Sequence, residues 1–145
     1  HSDEISNFKD EPKKLDRIEI PSGTTLKVLL AEDNPINQKV MDKMLSKIGL
    51  DVQIVNNGEE AINSLASEEF DLVLMDMEMP IKDGIQSTME IRSNAAIKQP
   101  LIIALTANAL GENKQKCLEA GMDDYIPKPV NKQQLTAILK KWFSI

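Results

Sequence analysis

Six polar residues in this sequence stand where apolar runs stop. Glu32 and Asp33 follow "KVLLA", Asp76 ends "LVLM", and Glu78 comes two residues later; Thr106 ends "LIIAL", and Lys128 follows "DYIP". A carboxylate at the end of a buried run is costly unless something pairs with it. Several carboxylates brought to one place repel strongly, so either they hold protons or a cation joins them. Oxygen-only ligands suit a hard ion, Mg²⁺ ahead of Ca²⁺, because few protein ligands are on offer and water can fill the remaining positions. A lysine and a threonine hydroxyl beside such carboxylates make an oxyanion clamp suited to a phosphoryl group. This chemistry requires that the six residues meet.

The elements that would bring them together are legible as an alternation. From Leu26 onward short apolar runs take turns with helical patterns. "LKVLLA" reads as a strand, and "NPINQKVMDKMLSKIG" as a helix with Asn34 as its cap, Pro35 in its first turn and Gly49 at its end. Ile36, Val40, Met44 and Ile48 recur every four residues and are expected to line one face. "DVQIV" is the second strand, and "NGEEAINSLASE" a second helix with acids in its first turn. "DLVLMD" is the third strand, and Asp83-Gly84 opens a third helix. "PLIIALT" is a fourth strand buried on both faces, followed by a helix closed by Gly121. "DDYIP" is the fifth strand, and "NKQQLTAILKKWF" the last helix, its Leu135, Ile138, Leu139, Trp142 and Phe143 turned to the core. Five β-α units in a row predict a parallel sheet with helices on both faces. In such sheets ligands sit beyond the carboxyl ends of the strands, where all six polar residues fall.

Composition narrows the function classes. The 145 residues suit one domain, residues 26–145, preceded by a charged, proline-interrupted stretch at 1–25 that reads as a linker or the tail of a preceding domain. The net charge of −6 argues against nucleic acid as a partner. No apolar run approaches the roughly 20 residues that cross a bilayer, so no direct membrane contact is expected of this chain. Cys117 is alone, which excludes an internal disulfide and fits a cytoplasmic setting. It reads as a small apolar helix residue, and the seven methionines read as packing.

With the acidic pair in "LLAEDN", the aspartate in "LVLMDMEMP", the "DG" turn, "ALTAN" and "YIPKP" in order, the chain resembles the receiver domain of two-component response regulators. The likeness runs from about Leu26 to Phe143, and "AEDNPINQKV" is most similar to receivers of hybrid sensor histidine kinases. The resemblance implies an α/β, doubly wound, flavodoxin-like (βα)5 fold with strand order 2-1-3-4-5. It implies Asp76 as phosphoacceptor, a carboxylate nucleophile taking a phosphoryl group from a histidine kinase or a histidine phosphotransfer domain. Asp33 and Asp76 would bind Mg²⁺ directly with the backbone carbonyl of Glu78, and Glu32 through water. Thr106 and Lys128 would grip the phosphoryl oxygens, and Thr106 and Tyr125 would form a switch in which the tyrosine ring turns inward on phosphorylation. Lys128-Pro129 would be the bond often held cis, and Glu78 and Asn108 would tune dephosphorylation. The chain would then be the C-terminal part of a larger hybrid kinase, including the cytoplasmic part of a membrane-bound sensor. Glu32 departs modestly from the family, where aspartate is also common.

Three alternatives use related features. A hydrolase or phosphotransferase with an aspartyl-phosphate intermediate would, in haloacid-dehalogenase-type enzymes, need D-x-D after the first strand, whereas "DMEMP" follows the third. A flavin-binding domain would need a hydroxyl-rich phosphate cradle where this chain is acidic. A pseudo-receiver acting only as a binding module would not need Asp76, Thr106 and Lys128 together.

Overall fold

The computed structural model of the chain describes residues 18–19, 26–107 and 111–144. Most of the expected linker, and Asn108, lie outside the described residues. Five parallel strands form one sheet: β1 (Lys27–Ala31), β2 (Asp51–Val55), β3 (Leu72–Asp76), β4 (Leu101–Thr106) and β5 (Asp124–Pro127). Their order is β2-β1-β3-β4-β5, the expected 2-1-3-4-5. Register pairs Ala31 with Met75 and Asp76 with Leu105, so the last residues of β1, β3 and β4 reach one rim.

Five helices alternate with the strands: α1 (Pro35–Ile48), α2 (Gly58–Ser67), α3 (Gly84–Ser93), α4 (Gly111–Ala120) and α5 (Lys132–Trp142). Their starts follow capping chemistry. Asn34, Asn57, Asp83 and Asn131 each accept backbone N–H groups of the first turn through the side chain. Asn131 and Gln134 complete a reciprocal capping box. Gly49, with φ of 95°, ends α1 in the left-handed conformation that glycine adopts without penalty.

The sheet divides the core in two. Val28, Leu30, Leu72, Leu74, Ile103 and Leu105 pack with Met41 and Leu45 of α1 and Leu135, Ile138, Leu139 and Trp142 of α5. Leu29, Ala31, Val73, Met75, Ile102 and Ala104 pack on the other face with Ala61, Leu65, Ile91 and Cys117 from α2, α3 and α4. The central strands β1, β3 and β4 are therefore apolar at nearly every position, as both faces are covered, while the edge strand β2 leaves Asp51 and Gln53 exposed. The residues of α5 expected in the core are there.

The four residues at a spacing of four on α1 do not bury as one face. Ile36 and Val40 are 72 % and 48 % exposed, and the buried seam of α1 is Met41 and Leu45, with Met44 and Ile48 beside it. A strict spacing of four drifts around a helix of 3.6 residues per turn, so Ile36 and Val40 rotate out of the seam that Met44 and Ile48 flank. A two-residue parallel pairing, Ile18–Glu19 with Phe143–Ser144, joins the segment ahead of the domain to the end of α5. Among the described residues no helix is long and apolar enough to cross a membrane.

Candidate functional site

β1 and β3 are central, adjacent strands, and where their pairing ends the chain turns from apolar to acidic. Asp76, the last residue of β3, is 3 % exposed, and Glu32, one residue beyond β1, is 1 % exposed. Asp33 is exposed. Glu32, Asp33 and Asp76 each offer a carboxylate oxygen, and the three oxygens lie within 4.8 Å of one another. The expected acid cluster is assembled.

Lys128 supplies the countercharge. Its Nζ lies 3.0 Å from Asp76 Oδ2 and 3.4 Å from Glu32 Oε1. Burial alone would push the ammonium toward losing its proton, but the bonds and charges of Asp76 and Glu32 outweigh it and leave its pKa raised. The lysine is delivered by β5 and its following turn, where its backbone N–H donates to the Thr106 carbonyl at 2.8 Å. That bond ties β4's last residue to the lysine's own backbone. Thr106 itself is 4 % exposed and stands one residue beyond Leu105, the partner of Asp76. The Lys128-Pro129 bond is cis.

The loop after β3 explains the "DG" turn. Glu78 N–H donates to Asp76 Oδ1 at 3.1 Å, which fixes the second carboxylate oxygen. The side chain of Glu78 is exposed and stands outside the three-carboxylate cluster. Gly84 lies against the backbone of Asp76: a Cβ there would stand 2.5 Å from the Asp76 carbonyl oxygen and 3.0 Å from Met77 Cα. Only glycine permits this approach of α3 to the strand end. Ile81, in the same loop, holds φ of 70°, which is unusual for a β-branched residue, and is 71 % exposed.

Tyr125 departs from its expected resting position. Its ring, expected to turn inward only on phosphorylation, is already 6 % exposed and packs in the α2-α3-α4 half of the core beside Cys117 and Met122. The thiol of Cys117, 1 % exposed, is pushed up to about 11 by burial, as befits a packing residue.

Two functional-looking groups were not singled out from the sequence. Gln38 of α1 donates to the Glu32 carbonyl at 2.5 Å and to Asn56 Oδ1 at 2.9 Å. Asp124, fully buried at the start of β5, accepts from Tyr125 N–H at 2.8 Å and from the Trp142 indole at 2.7 Å. Burial pushes its carboxyl up to about 6, against the bonds from Trp142 and Tyr125 and the charge of Lys141. Its signal in the sequence was an acid opening an apolar run, the pattern that marked Asp76 in reverse.

A five-stranded doubly wound sheet with three carboxylates and a lysine at its carboxyl rim defines a flavodoxin-like domain of the receiver class. The sequence matches the response regulator receiver domain over residues 28–140, and the chain belongs to that family. It is a receiver domain of the two-component phosphorelay kind, similar to those of hybrid histidine kinases. It is 42 % identical over 124 residues to the sensor histidine kinase GacS of Pseudomonas protegens, covering 83 % of this chain and 14 % of that protein. It is 40 % identical over 141 residues to the hybrid signal transduction histidine kinase H of Dictyostelium discoideum, covering 94 % and 10 %. The chain thus spans only a small part of the length of these relatives. Among solved structures, the receiver domain of the sensor histidine kinase PA1611 of Pseudomonas aeruginosa, with magnesium coordinated in its active-site cleft, matches with a TM-score of 0.76 and 42 % identity, covering 82 % of this chain and 98 % of that one. A chain of the co-crystal structure of the Saccharomyces cerevisiae phosphotransfer protein Ypd1 with the Ssk1 receiver domain matches with a TM-score of 0.75 and 31 % identity, covering 81 % and 88 %.

Proposed function

We propose that this chain accepts a phosphoryl group on Asp76 from a phosphohistidine, in a reaction that needs Mg²⁺. The observation that carries the proposal is the geometry of the rim: three carboxylate oxygens within 4.8 Å of one another, two of the acids sharing the single charge of Lys128. The donor set is all oxygen and suits Mg²⁺. Asp33 and Asp76 are the direct ligands in this reading, with the backbone carbonyl of Glu78, and Glu32 acts through water. When bound, Mg²⁺ supplies positive charge that lets one anion approach another.

The chain's own residues do the rest. A carboxylate oxygen of Asp76 attacks phosphorus, the P–N bond to the donor imidazole breaks, and the electron pair stays on that nitrogen, which takes a proton. The product is an acyl phosphate on Asp76. Lys128 and the Thr106 hydroxyl hold the phosphoryl oxygens, which carry about −1.5 to −2 charge at neutral pH. Glu78, exposed beside Asp76, and Asn108 set how fast water removes the group.

The donor is a histidine kinase or a histidine phosphotransfer domain. A groove of about 430 Å³ runs beside the acids, lined by Glu32, Asn37, Val40, Met41, Lys128 and Pro129 among others. Val40 lines it, and with the exposed Ile36 on the same helix it offers an apolar face to a helix carrying the phosphohistidine. The co-crystal of Ypd1 with the Ssk1 receiver supports a partner of this kind. Residues 1–25 serve as the link to a preceding kinase region.

Incubation with acetyl phosphate, with Mg²⁺ or with EDTA, followed by intact-protein mass spectrometry tests the reaction. The added mass of one phosphoryl group should appear with Mg²⁺ and be lost in EDTA. No adduct under either condition would sink the proposal.

A further inference from the structure

Glu32 is the last residue that β2 holds. Its N–H donates to the Val55 carbonyl at 3.1 Å, and the sheet pairing stops there. Beyond it the chain must turn through Asp33 and Asn34 before α1 begins, and Glu32 at the head of that turn and Asp33 within it are two of the three clustered carboxylates. A turn of this kind holds its side chains only as firmly as its peptide units are held.

The next peptide unit is held from the helix side. Gln38, half-buried in the second turn of α1, reaches back six residues and donates to the Glu32 carbonyl at 2.5 Å. That carbonyl belongs to the peptide joining Glu32 to Asp33, so its orientation sets the direction in which the Asp33 side chain leaves the backbone. With Glu32 N–H on Val55 and Glu32 C=O on Gln38, both peptides flanking Glu32 are anchored. The Glu32 carboxylate is held separately, by Asn34 N–H at 3.0 Å and Lys128 at 3.4 Å.

Gln38 is itself held in place. Its amide also donates to Asn56 Oδ1 at 2.9 Å, using the second of its two hydrogens. Asn56 gives its backbone N–H and its side-chain amide to Glu60 Oε1, at 2.8 Å and 3.3 Å. A chain of bonds therefore runs from the first turn of α2 through Asn56 and Gln38 to the acid pair. Both hydrogens of one amide point at acceptors, so glutamine is matched to the place and glutamate, with no donor, is not.

We infer that Gln38 is a positioning residue for the acid cluster: its amide, braced by Asn56, fixes the Glu32–Asp33 peptide and so sets the affinity of Glu32, Asp33 and Asp76 for Mg²⁺. The inference rests on the function proposed above. Supporting partners of this kind change metal affinity by about 10- to 100-fold when removed, without touching the metal.

The test compares the parent, Gln38→Met and Asn56→Ala, each titrated with Mg²⁺ and followed by amide chemical shifts. Methionine keeps the length of glutamine and lacks its N–H groups. Gln38→Met should weaken Mg²⁺ binding about tenfold, and Asn56→Ala by a smaller factor. Hydrogen exchange at the Asp33 amide of the metal-free protein should quicken in both, while the urea midpoint without metal stays near the parent value. A merely structural role would lower the midpoint and leave the affinity of the folded protein alone. Mg²⁺ affinity within twofold of the parent in Gln38→Met overturns the inference; if that variant does not fold, an unchanged affinity in Asn56→Ala, whose site is exposed, overturns it instead. A parent that binds no Mg²⁺ overturns the proposed function and this inference together.

Discussion

Replacing Lys128 by methionine isolates what the lysine does for the acid cluster. Its ammonium sits 3.0 Å from Asp76 and 3.4 Å from Glu32, and the two carboxylate side chains are only 4 % and 2 % exposed. At an effective dielectric of about 20, each contact is worth about 5 kcal/mol of attraction before desolvation. Burying the lysine and fixing its side chain take back much of that, and removing one partner of a buried pair costs about 3 kcal/mol net. In a domain of this size that is a fall of about 10 °C in melting temperature. The loss should shrink when Mg²⁺ is present, because the divalent ion then opposes the same two carboxylates. The pH dependence of the parent cannot replace the substitution. Lys128 is raised above its ordinary 10.5, so its contribution is complete below that value and is lost only as pH climbs through the higher folded value. Urea denaturation of Lys128→Met and parent, in EDTA and in saturating Mg²⁺, measures both effects. A loss below about 0.5 kcal/mol in EDTA, the range of an exposed ion pair, or an equal loss in the two buffers, would refute the reasoning.

Two further perturbations probe the frame around the site. Asp124 titrates near 6 in the folded protein against about 3.8 when unfolded, so the folded state binds more protons in that window and this group removes stability as pH rises through it; Asp124→Asn should gain on the parent by up to about 3 kcal/mol between pH 4 and 7, read as the difference in urea stability at each pH, and a pH-independent difference would contradict it. Gly84→Ala places a methyl 2.5 Å from the Asp76 carbonyl oxygen, which should cost about 1–3 kcal/mol and slow phosphorylation by acetyl phosphate; a variant as stable and as fast as the parent would show that the strand end can give way.

The strands and the rim were legible for one physical reason. A doubly covered parallel strand is apolar throughout, so "KVLLA", "LVLM" and "LIIAL" announce themselves, and so do the polar residues that interrupt them. The caps were legible because Asn34, Asp83 and Gly49 act on backbone groups only a few residues away. The buried face of α1 was not, since its first two turns carry Ile36 and Val40 at helical spacing yet leave them facing solvent beside the site. Periodicity cannot distinguish a core stripe from an apolar docking face. Contacts across long separations were hidden for the same reason: nothing local in "DDYIP" says that Asp124 meets Trp142, and nothing in "NQKV" says that Gln38 braces the acid pair. The "DG" turn was visible, but its cause, contact of Gly84 with the Asp76 backbone, exists only once β3 and α3 meet.

The most direct measurement locates the phosphoryl group. The protein is phosphorylated with acetyl phosphate and Mg²⁺, the acyl phosphate is reduced with borohydride, and the peptides are read by mass spectrometry, with Asp76→Asn carried in parallel. The account predicts the reduced residue at position 76 alone and none in the variant. Label at another carboxylate, or equal labelling of Asp76→Asn, would contradict it.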